Sequence, residues 1–326
     1  MAEPVLARSK LMTARDAVAR FIDDGDSIYT GYTQVPMSLT HEIIRQGKRR
    51  LEVIGASVGG QGTLLMLAGC CDRVTSGYIG GALRPGPIQD LMNSGALRYD
   101  DYSNGAIAMM LMAGAFGLPF VPMKWFLGTD YLRPEFEGHP AAFRGRDKWK
   151  RITSPFDGSE YVALPALRPD VAIMHFQRAD ELGNVQAWGA FGDAKWALWA
   201  SRKVVISVEE IVPISAIRTD PNRTIVPAAR VSAVVHEPWG AHPTSVPGYY
   251  DYDYDFFRAT GASMASMEGY RAFAEEWIHG LPDRAAYLEH LRARFGADWL
   301  ERVRARAPIQ PELTIDYGFA PVTEWR

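Results

Sequence analysis

The stretch GDSIYTGYTQVPMSLTHEIIRQGKRRLEVIGASVGGQG, residues 25–62, predicts a β-α-β unit around which the rest of the chain is organised. Its first strand is Ser27–Thr30, which is short and rich in β-prone residues. Ser38–Gln46 follows with apolar residues at helical spacing, and Gly47 ends that helix. Leu51–Ile54 then predicts a second strand that is buried.

Glycine follows both strands of this unit, as Gly31 after the first and Gly59-Gly60 after the second. Ligands of open parallel sheets bind beyond the carboxyl ends of the strands, where glycine lets the backbone approach a ligand and leaves N–H groups pointing outward. Tight strand-to-helix turns also use glycine, so a purely structural role stays open. The loop lacks the third glycine of a dinucleotide fingerprint, and no Walker lysine follows it.

The alternation of strand, glycine and helix continues downstream. Arg73–Tyr78 predicts a third strand that ends on Gly80-Gly81, and Leu97–Tyr102 predicts a fourth that ends on Ser103-Asn104. This recurrence predicts an α/β fold with an open, mostly parallel sheet wound by helices through right-handed crossovers.

The candidate ligand-lining residues lie in the loops that follow these strands. They are Gly31, Tyr32, Thr33, Ser57, Gly59, Gly60, Gly80, Gly81, Ser103 and Asn104. Ser103 and Asn104 are equally suited to capping the helix that follows them, so their role stays open as well.

The second half of the chain is less regular. Lys124–Asp157 loses its periodicity and predicts a long surface loop. Val171–Met174 and Val204–Val208 predict buried strands, the second of which ends directly on Glu209-Glu210. Ala187–Trp199 predicts a helix.

One domain is expected over residues 1–326, with a C-terminal helical extension and tail over residues 262–326. Within that extension, Met267–Ile278 and Ala285–Ala305 predict amphipathic helices that pack on the domain or on a partner. No polar linker precedes them, which argues against an independent second domain.

Composition narrows the classes of function. The chain is 47% hydrophobic and 22% charged, as is typical of a soluble globular protein. Its net charge of -3 and pI near 6.2 argue against nucleic-acid binding. The adjacent Cys70-Cys71 pair suits a reducing cytoplasm and argues against a disulfide scaffold or a zinc site. We therefore expect a cytoplasmic protein without a signal peptide.

The segment Ala106–Met123 is uncharged throughout and is the one stretch that resembles a membrane span. It contains two glycines and two prolines, at positions 114, 117, 119 and 122. These residues favour a buried helix followed by a short strand, so no membrane association is expected.

Three polar side chains are candidates for assisting a reaction. Glu209 and Glu210 stand where a buried strand meets a loop, which suits general acid–base work, although capping a helix or pairing with arginine is the structural alternative. His242 is held between Gly240, which permits a sharp turn, and Pro243, which restricts the preceding residue to an extended conformation. A histidine fixed in this way can donate a hydrogen bond to a substrate oxygen, or it can hold the following turn.

Two other features are not predicted to be functional sites. His175 ends an apolar strand and is predicted to be a core histidine with satisfied hydrogen bonds. In the run 249–257, Asp251, Asp253 and Asp255 alternate as in a strand but lack the glycine and glutamate of a calcium loop, so no metal site is predicted.

A resemblance to a known family lies in several phrases of the sequence. The α subunits of family I coenzyme A transferases share phrases similar to DVAIMHFQRADELGNVQAWG (170–189) and VVISVEEIVP (204–213), and their opening strand and loop resemble GDSIYTGYTQVP (25–36). Within the family, the α subunit of glutaconate CoA-transferase is most similar, through DDYSNGAIAMMLMAGAFGLPFVP (100–122) and WGAHPTSVPGYYDYD (239–253).

The resemblance spans about Met12–Trp277 and implies an open α/β sheet paired with a similar β subunit. Family members move CoA between carboxylates through a glutamyl anhydride and a glutamyl-CoA thioester, and a carboxylate suits this task because it attacks without first losing a proton. In members split into two chains that glutamate belongs to the β subunit, so the resemblance implies no catalytic nucleophile in this chain.

The implied partners are a CoA-transferase β subunit in an (αβ)n hetero-oligomer, an acyl-CoA and a small carboxylic acid. Coenzyme A is then a substrate, and no permanently bound cofactor is implied. Glycine loops and polar side chains of this chain would line a site at the interface and stabilise oxyanions through backbone N–H groups.

Two alternatives remain open. One is the α subunit of a steroid-ring-opening hydrolase of CoA esters, which cleaves a carbon–carbon bond and resembles this chain less. Those subunits carry a glutamate in the segment that matches Tyr102–Gly105, where this chain has Ser103 and no glutamate. The other is a non-catalytic scaffold with the same fold, which turnover together with a β partner would separate from both enzymes.

Overall fold

The computed structural model describes residues 8–80, 86–132 and 148–305, which fold around one large sheet. The strands of these ranges are β1 (Ser27–Tyr29), β2 (Leu51–Gly55), β3 (Cys71–Ser76), β4 (Arg98–Asp101), β5 (Phe120–Met123), β6 (Lys150–Thr153), β7 (Glu160–Pro165), β8 (Val171–Ala179), β9 (Val185–Gln186), β10 (Lys203–Ile211), β11 (Thr224–Val226) and β12 (Ala233–His236). The α-helices are α1 (Ala14–Phe21), α2 (Met37–Arg45), α3 (Gly60–Leu67), α4 (Pro87–Asn93), α5 (Asn104–Ala115), α6 (Ala194–Ala200), α7 (Ile214–Thr219), α8 (Tyr254–Thr260), α9 (Met267–Ala274) and α10 (Arg284–Phe295).

The large sheet is parallel over most of its width. Its parallel strands follow the spatial order β12-β10-β8-β1-β2-β3-β4. β9 pairs antiparallel with the far end of β8, and β11 pairs antiparallel with β9. The predicted open, mostly parallel sheet wound by helices is therefore confirmed.

The strand order reverses between β1 and β8. From β1 the chain builds outward through β2, β3 and β4, and it then returns to lay β8 on the other side of β1 and builds outward through β10 and β12. A reversal of this kind leaves a crevice beyond the carboxyl ends of the two central strands. Gly31 lies there with a φ of +75°, and a Cβ at this position would stand 2.5 Å from Met174 Sδ.

Both faces of the sheet are covered, and each cover forms its own hydrophobic cluster. One cluster joins α1, α2 and α3 to the C-terminal helices, through residues such as Val18, Leu39, Leu65, Trp277 and Leu291. The other joins α5 and α6 to a small antiparallel sheet of order β5-β7-β6, through residues such as Met110, Leu111, Val162, Leu164 and Leu198. The described part of the C-terminal extension therefore packs in the same core as the opening β-α-β unit.

The uncharged segment Ala106–Met123 forms most of α5 and then β5, as predicted. Gly114 lets this helix approach the chain after β7, because a Cβ there would stand 2.0 Å from the carbonyl oxygen of Leu167. Among the described helices, none combines the length and the apolar character that crossing a membrane requires.

Two predictions for irregular segments are wrong. The predicted loop Lys124–Asp157 contains β6, which escaped notice because its mostly exposed residues carry no apolar alternation. Residues 133–147 of this segment lie outside the described part of the chain. The helix predicted over Ala187–Trp199 begins only at Ala194, because Gly189 and Gly192 adopt positive φ angles of +99° and +53°.

Three further predictions about secondary structure also change. β10 continues through Glu209 and Glu210 to Ile211, so the two glutamates lie within the strand and not after it. Asp253 does not belong to a strand, since its side chain accepts a hydrogen bond from Phe256 N and caps α8. The helix predicted to reach Ala305 ends at Phe295, where Gly296 has a φ of +119°.

Candidate active site

The loops that follow β1, β2, β3 and β4 lie together at the carboxyl edge of the sheet. We call residues 30–35, 55–60, 77–80 and 102–104 the glycine edge. Gln61 Nε2 donates to Gly31 O at 2.6 Å and ties the first loop to the second. Val58 N donates to Tyr78 O at 2.8 Å and ties the second to the third.

Gly77 ties the third loop to the fourth. A Cβ at this position would stand 2.3 Å from Asn104 N and 2.5 Å from Ser103 C, so the backbones of the two loops are in direct contact. Gly77 was not a predicted site residue, although it is the first glycine after β3. The structure thus brings together the candidates Gly31, Tyr32, Thr33, Ser57, Gly59, Gly60, Gly80, Ser103 and Asn104. Gly81 lies outside the described residues.

Two helices begin at the glycine edge. α3 begins at Gly60 with Gly59 as an N-cap that supplies no side-chain acceptor, and α5 begins at Asn104. Ser103 Oγ caps α5 by accepting from Ala106 N at 3.1 Å, which is the structural role that the sequence left open. The first N–H groups of a helix have no partner within it and carry partial positive charge, so both helix starts favour a negatively charged ligand.

Aromatic side chains surround this edge on its outer side. Tyr32 and Tyr78 are 53% and 46% exposed. Trp125 is 60% exposed and lies against the first turn of α5, because a Cβ on Gly105 would stand 2.7 Å from its Cζ3 atom. Exposed aromatic side chains are enriched in the centres of protein interfaces.

Asp193 forms hydrogen bonds that connect the first two of these loops, and sequence reasoning missed it. Its Oδ1 accepts from Tyr29 Oη at 2.7 Å, and its Oδ2 accepts from Ala56 N at 2.8 Å. The carboxylate is buried, and burial together with this carboxylate holds the pKa of Tyr29 well above its usual range. Asp193 therefore fixes the ends of β1 and β2 relative to each other. No local sequence signal marks it.

Glu209 lies in a closed, buried hydrogen-bond network. Its Oε1 is 2.6 Å from His175 Nε2 and accepts from Tyr250 Oη at 2.6 Å, while its Oε2 accepts from Trp239 N at 2.8 Å. His175 itself is fully buried, and its Nδ1 is 2.9 Å from Ser207 Oγ. The carboxylate thus joins β10 to β8, to the loop after β12 and to Tyr250, and its geometry favours a structural role.

Glu210 faces the other side of β10 and is exposed. Its carboxylate and the side chain of Tyr249 share a hydrogen bond, and burial of Tyr249 and the neighbouring carboxylates raise the pKa of that phenol above its usual range. This contact links β10 to the segment after residue 245. The two adjacent glutamates therefore have separate surroundings, and the structure does not bring them together.

His242 follows the carboxyl end of β12, as predicted, but its ring is fully buried. Its Nε2 is 3.0 Å from Asp253 Oδ2 and its Nδ1 is 2.9 Å from Tyr287 Oη. Burial lowers the pKa of His242 to about 4, so the ring is neutral near pH 7. Because a carboxylate only accepts, Nε2 carries the proton and Nδ1 accepts from Tyr287. This geometry favours holding the turn.

Comparison with known proteins agrees with the fold. The family model described as Coenzyme A transferase matches residues 11–237. A 3-oxoadipate CoA-transferase subunit from Pseudomonas knackmussii is 35% identical over 286 residues, which cover 84% of this chain and 95% of the relative.

A glutaconate CoA-transferase subunit from Acidaminococcus fermentans is 34% identical over 305 residues, covering 87% of this chain and 92% of the relative. The crystal structure of that glutaconate CoA-transferase superposes with a TM-score of 0.81 over 94% of this chain and 100% of the matched chain, at 30% identity. The cholesterol ring-cleaving hydrolase IpdA subunit of Mycobacterium tuberculosis is 29% identical over 268 residues, covering 77% of this chain and 86% of the relative. The chain is therefore a member of the coenzyme A transferase family.

Proposed function

We propose that this chain is the α subunit of a heteromeric CoA-transferase that exchanges coenzyme A between an acyl-CoA and a carboxylic acid. The observation that carries the proposal is the similarity, over more than four fifths of the chain, to two proteins that are each named as one subunit of a CoA-transferase. The covalent glutamate is supplied by a β subunit that docks on the glycine edge.

The surroundings of the two candidate glutamates support a nucleophile on another chain. Glu209 is held by three hydrogen-bond partners in a buried network, and Glu210 is joined to Tyr249. A nucleophilic carboxylate must be free to approach the carbonyl carbon of an acyl-CoA, and Glu209 is not. The exposed aromatic side chains Tyr32, Tyr78 and Trp125 support docking of a partner beside the edge.

The glycine edge then has a defined part in the reaction. The glutamate of the partner attacks the thioester carbonyl, the CoA thiolate leaves, and the thiolate attacks the glutamyl carbonyl to release the first acid. Both steps pass through an oxyanion, and the incoming acid is itself an anion. The N–H groups at the starts of α3 and α5 carry partial positive charge and stabilise these negative charges without reorganising during the reaction.

A carbon–carbon bond hydrolase of the ring-cleaving type is the second candidate. The observation in its favour is the 29% identity to the IpdA subunit. The identity to either transferase subunit is higher, at 35% and 34%, so the transferase is the first candidate. The serine at position 103 favours the transferase, since its hydroxyl is committed to capping α5 and offers no carboxylate at this place. Assay of the assembled enzyme for CoA exchange and for hydrolysis separates the two, and a scaffold shows neither.

Purified alone, the chain should show no CoA exchange, and activity should appear when a CoA-transferase β subunit is added. Borohydride trapping of the assembled enzyme with acyl-CoA should then modify a glutamate of the partner. The physical reason is that the nucleophile and the edge lie on different chains. Full activity of a monomer, or a modified residue at Glu209 or Glu210, would overturn the proposal.

The substitution Gly77→Ala should lower turnover by about 10²-fold or more, because the new Cβ pushes the start of α5 away from the end of β3 and displaces N–H groups that stabilise the oxyanion. Unfolding should also become easier by about 1–3 kcal/mol, the usual cost of overpacking. Gly261→Ala is the matched control, since this glycine lies outside the glycine edge, has a helical φ of -60°, and a Cβ there meets nothing within 4 Å. Equal turnover in both variants would remove the edge from the reaction.

A further inference from the structure

Gln34 has a strained backbone in the first loop of the glycine edge. Its φ is +52°, in the left-handed region that residues other than glycine rarely adopt. In the described ranges, Arg50 and Trp239 are the other non-glycine residues with a positive φ, and neither belongs to the glycine edge. A conformation of this kind is unfavourable by itself and persists only where the surrounding contacts impose it. The contacts of Gln34 therefore indicate what the strain maintains.

Hydrogen bonds connect Gln34 to two other parts of the chain. Its side-chain Nε2 donates to Trp188 O at 3.0 Å, and its backbone O accepts from His175 N in β8 at 3.3 Å. The preceding residue is held as well, because Thr33 Oγ1 donates to Ala190 O. Gln34 is 3% exposed, so water competes little for these bonds. The first loop of the glycine edge is therefore fixed at its far end.

The acceptor of the side-chain bond is itself held in place. Trp188 O also accepts from Gln177 Nε2 at 2.9 Å, and Trp188 Nε1 donates to Pro247 O at 3.0 Å. The next residue, Gly189, has a φ of +99°, and a Cβ there would stand 2.8 Å from Pro247 Cγ. A firmly held acceptor allows one side-chain hydrogen bond to maintain an unfavourable backbone angle at Gln34.

The residues just before Gln34 lie where a ligand is expected. They follow β1, at the point where the strand order reverses between β1 and β8, and ligands of open sheets bind at such a point. Among the residues that the structure describes, none accepts a hydrogen bond from Tyr32 N or Thr33 N. Successive N–H groups in a turn can bind one negatively charged oxygen.

We propose that Gln34 is a positioning residue, which holds its loop so that the N–H groups of Tyr32 and Thr33 donate to an oxygen of the acyl group transferred at the glycine edge. This inference rests on the proposed transferase function. Gln34 itself does not contact the acyl group, because its side chain is buried and its Nε2 is bonded to Trp188 O. Its effect is on geometry, and a displacement of about 1 Å can lower turnover by about 10²-fold.

The substitution Gln34→Gly separates positioning from stability. Glycine adopts a positive φ without strain, so the variant keeps this backbone conformation accessible while it loses the hydrogen bond to Trp188 O. In the assembled enzyme kcat should fall by about 10- to 10²-fold with KM within about threefold, because the loss applies to the transition state. The transition temperature should stay within about 5 °C, since relief of strain partly offsets the lost bond.

The substitution Gln34→Asn tests the side-chain bond alone. Asparagine tolerates the left-handed region better than most residues, but its side chain is one methylene shorter and does not reach Trp188 O. The fall in kcat should match that of Gln34→Gly. Gln46→Ala is the matched control, because Gln46 Nε2 also donates to a backbone carbonyl, that of Arg15 at 2.8 Å, but at the opposite end of α2. Its kcat should stay within about twofold of the unmodified enzyme.

Chymotrypsin cleavage after the exposed Tyr32 measures how firmly the loop is held, without the reaction. A protease needs a locally opened chain, so both Gln34 variants of the full-length chain should be cleaved there about tenfold faster than the unmodified chain or Gln46→Ala. Equal cleavage would show that Gln34 does not hold the loop and would overturn the proposal.

Faster cleavage with an unchanged kcat would overturn the positioning role, as would a loss of kcat that only follows a lower transition temperature. If the unmodified assembled enzyme shows no CoA exchange, the proposed function fails and the positioning role fails with it. The cleavage rates then still decide whether Gln34 holds the loop, so the two failures are distinguishable.

Discussion

The substitution Glu209→Ala should lower the free energy of unfolding by about 3–5 kcal/mol. It removes the acceptor for Tyr250 Oη and for Trp239 N and the partner of His175 Nε2, all at 2.6–2.8 Å. Because these groups are buried, water cannot replace the lost carboxylate at full strength. Chemical denaturation followed by tryptophan fluorescence measures the loss.

Glu210→Ala is the matched control for this experiment. Its side chain is exposed on the same strand, and removing its contact with Tyr249 should change stability by less than about 1 kcal/mol. A Glu209 variant that unfolds like the unmodified chain but has lost turnover would contradict the structural role. It would return Glu209 to acid–base assistance.

The sequence was sufficient to predict those parts of the fold that depend on local pattern. Short strands that alternate with helices and are followed by glycine or polar turn residues are typical of parallel sheets, so β1, β2, β3 and β4 and the helices between them could be recognised from their own residues. β6 could not, because its mostly exposed residues carry no apolar alternation. The helix break before Ala194 depended on positive φ angles, which glycine permits but does not require.

The site was predictable to the same extent. That four loops meet at one edge follows from parallel strands, so the glycine candidates could be named without coordinates. Asp193 could not, since its partners Tyr29 and Ala56 are 164 and 137 residues away in sequence. Glu209 is likewise joined to residues 30, 34 and 41 positions away. Spacing in one sequence carries no information about such pairs.

The C-terminal helices connect this edge to the rest of the molecule. Helix α10, the π-helical turn Glu275–His279 and the loop after β12 pack against α2, which begins directly after the first loop of the glycine edge. Ser38 N on α2 donates to Gly240 O in that loop. Loosening the extension should therefore move α2 and, through it, the loop that carries Gly31.

The substitution His242→Ala tests how firmly the extension is held and should cost about 3–5 kcal/mol of stability, the usual range for removing a buried aromatic ring. The ring is fully buried, bonded to Asp253 and Tyr287, and its centre lies 5.4 Å from that of Phe256. Differential scanning calorimetry of the assembled enzyme measures the effect, and turnover per folded molecule, well below the transition, should fall by less than about tenfold.

His279→Ala is the control, because this exposed histidine ends the π-helical turn Glu275–His279 and its removal should leave stability within about 0.5 kcal/mol. The two roles of His242 differ in what they change. A hydrogen-bond donor to substrate would lower turnover by about 10²-fold or more with an unaltered transition temperature. If His242 instead holds the turn, its removal mainly lowers the transition temperature. The reason is that the buried side chains of Asp253 and Tyr287 lose a hydrogen-bond partner that solvent does not replace.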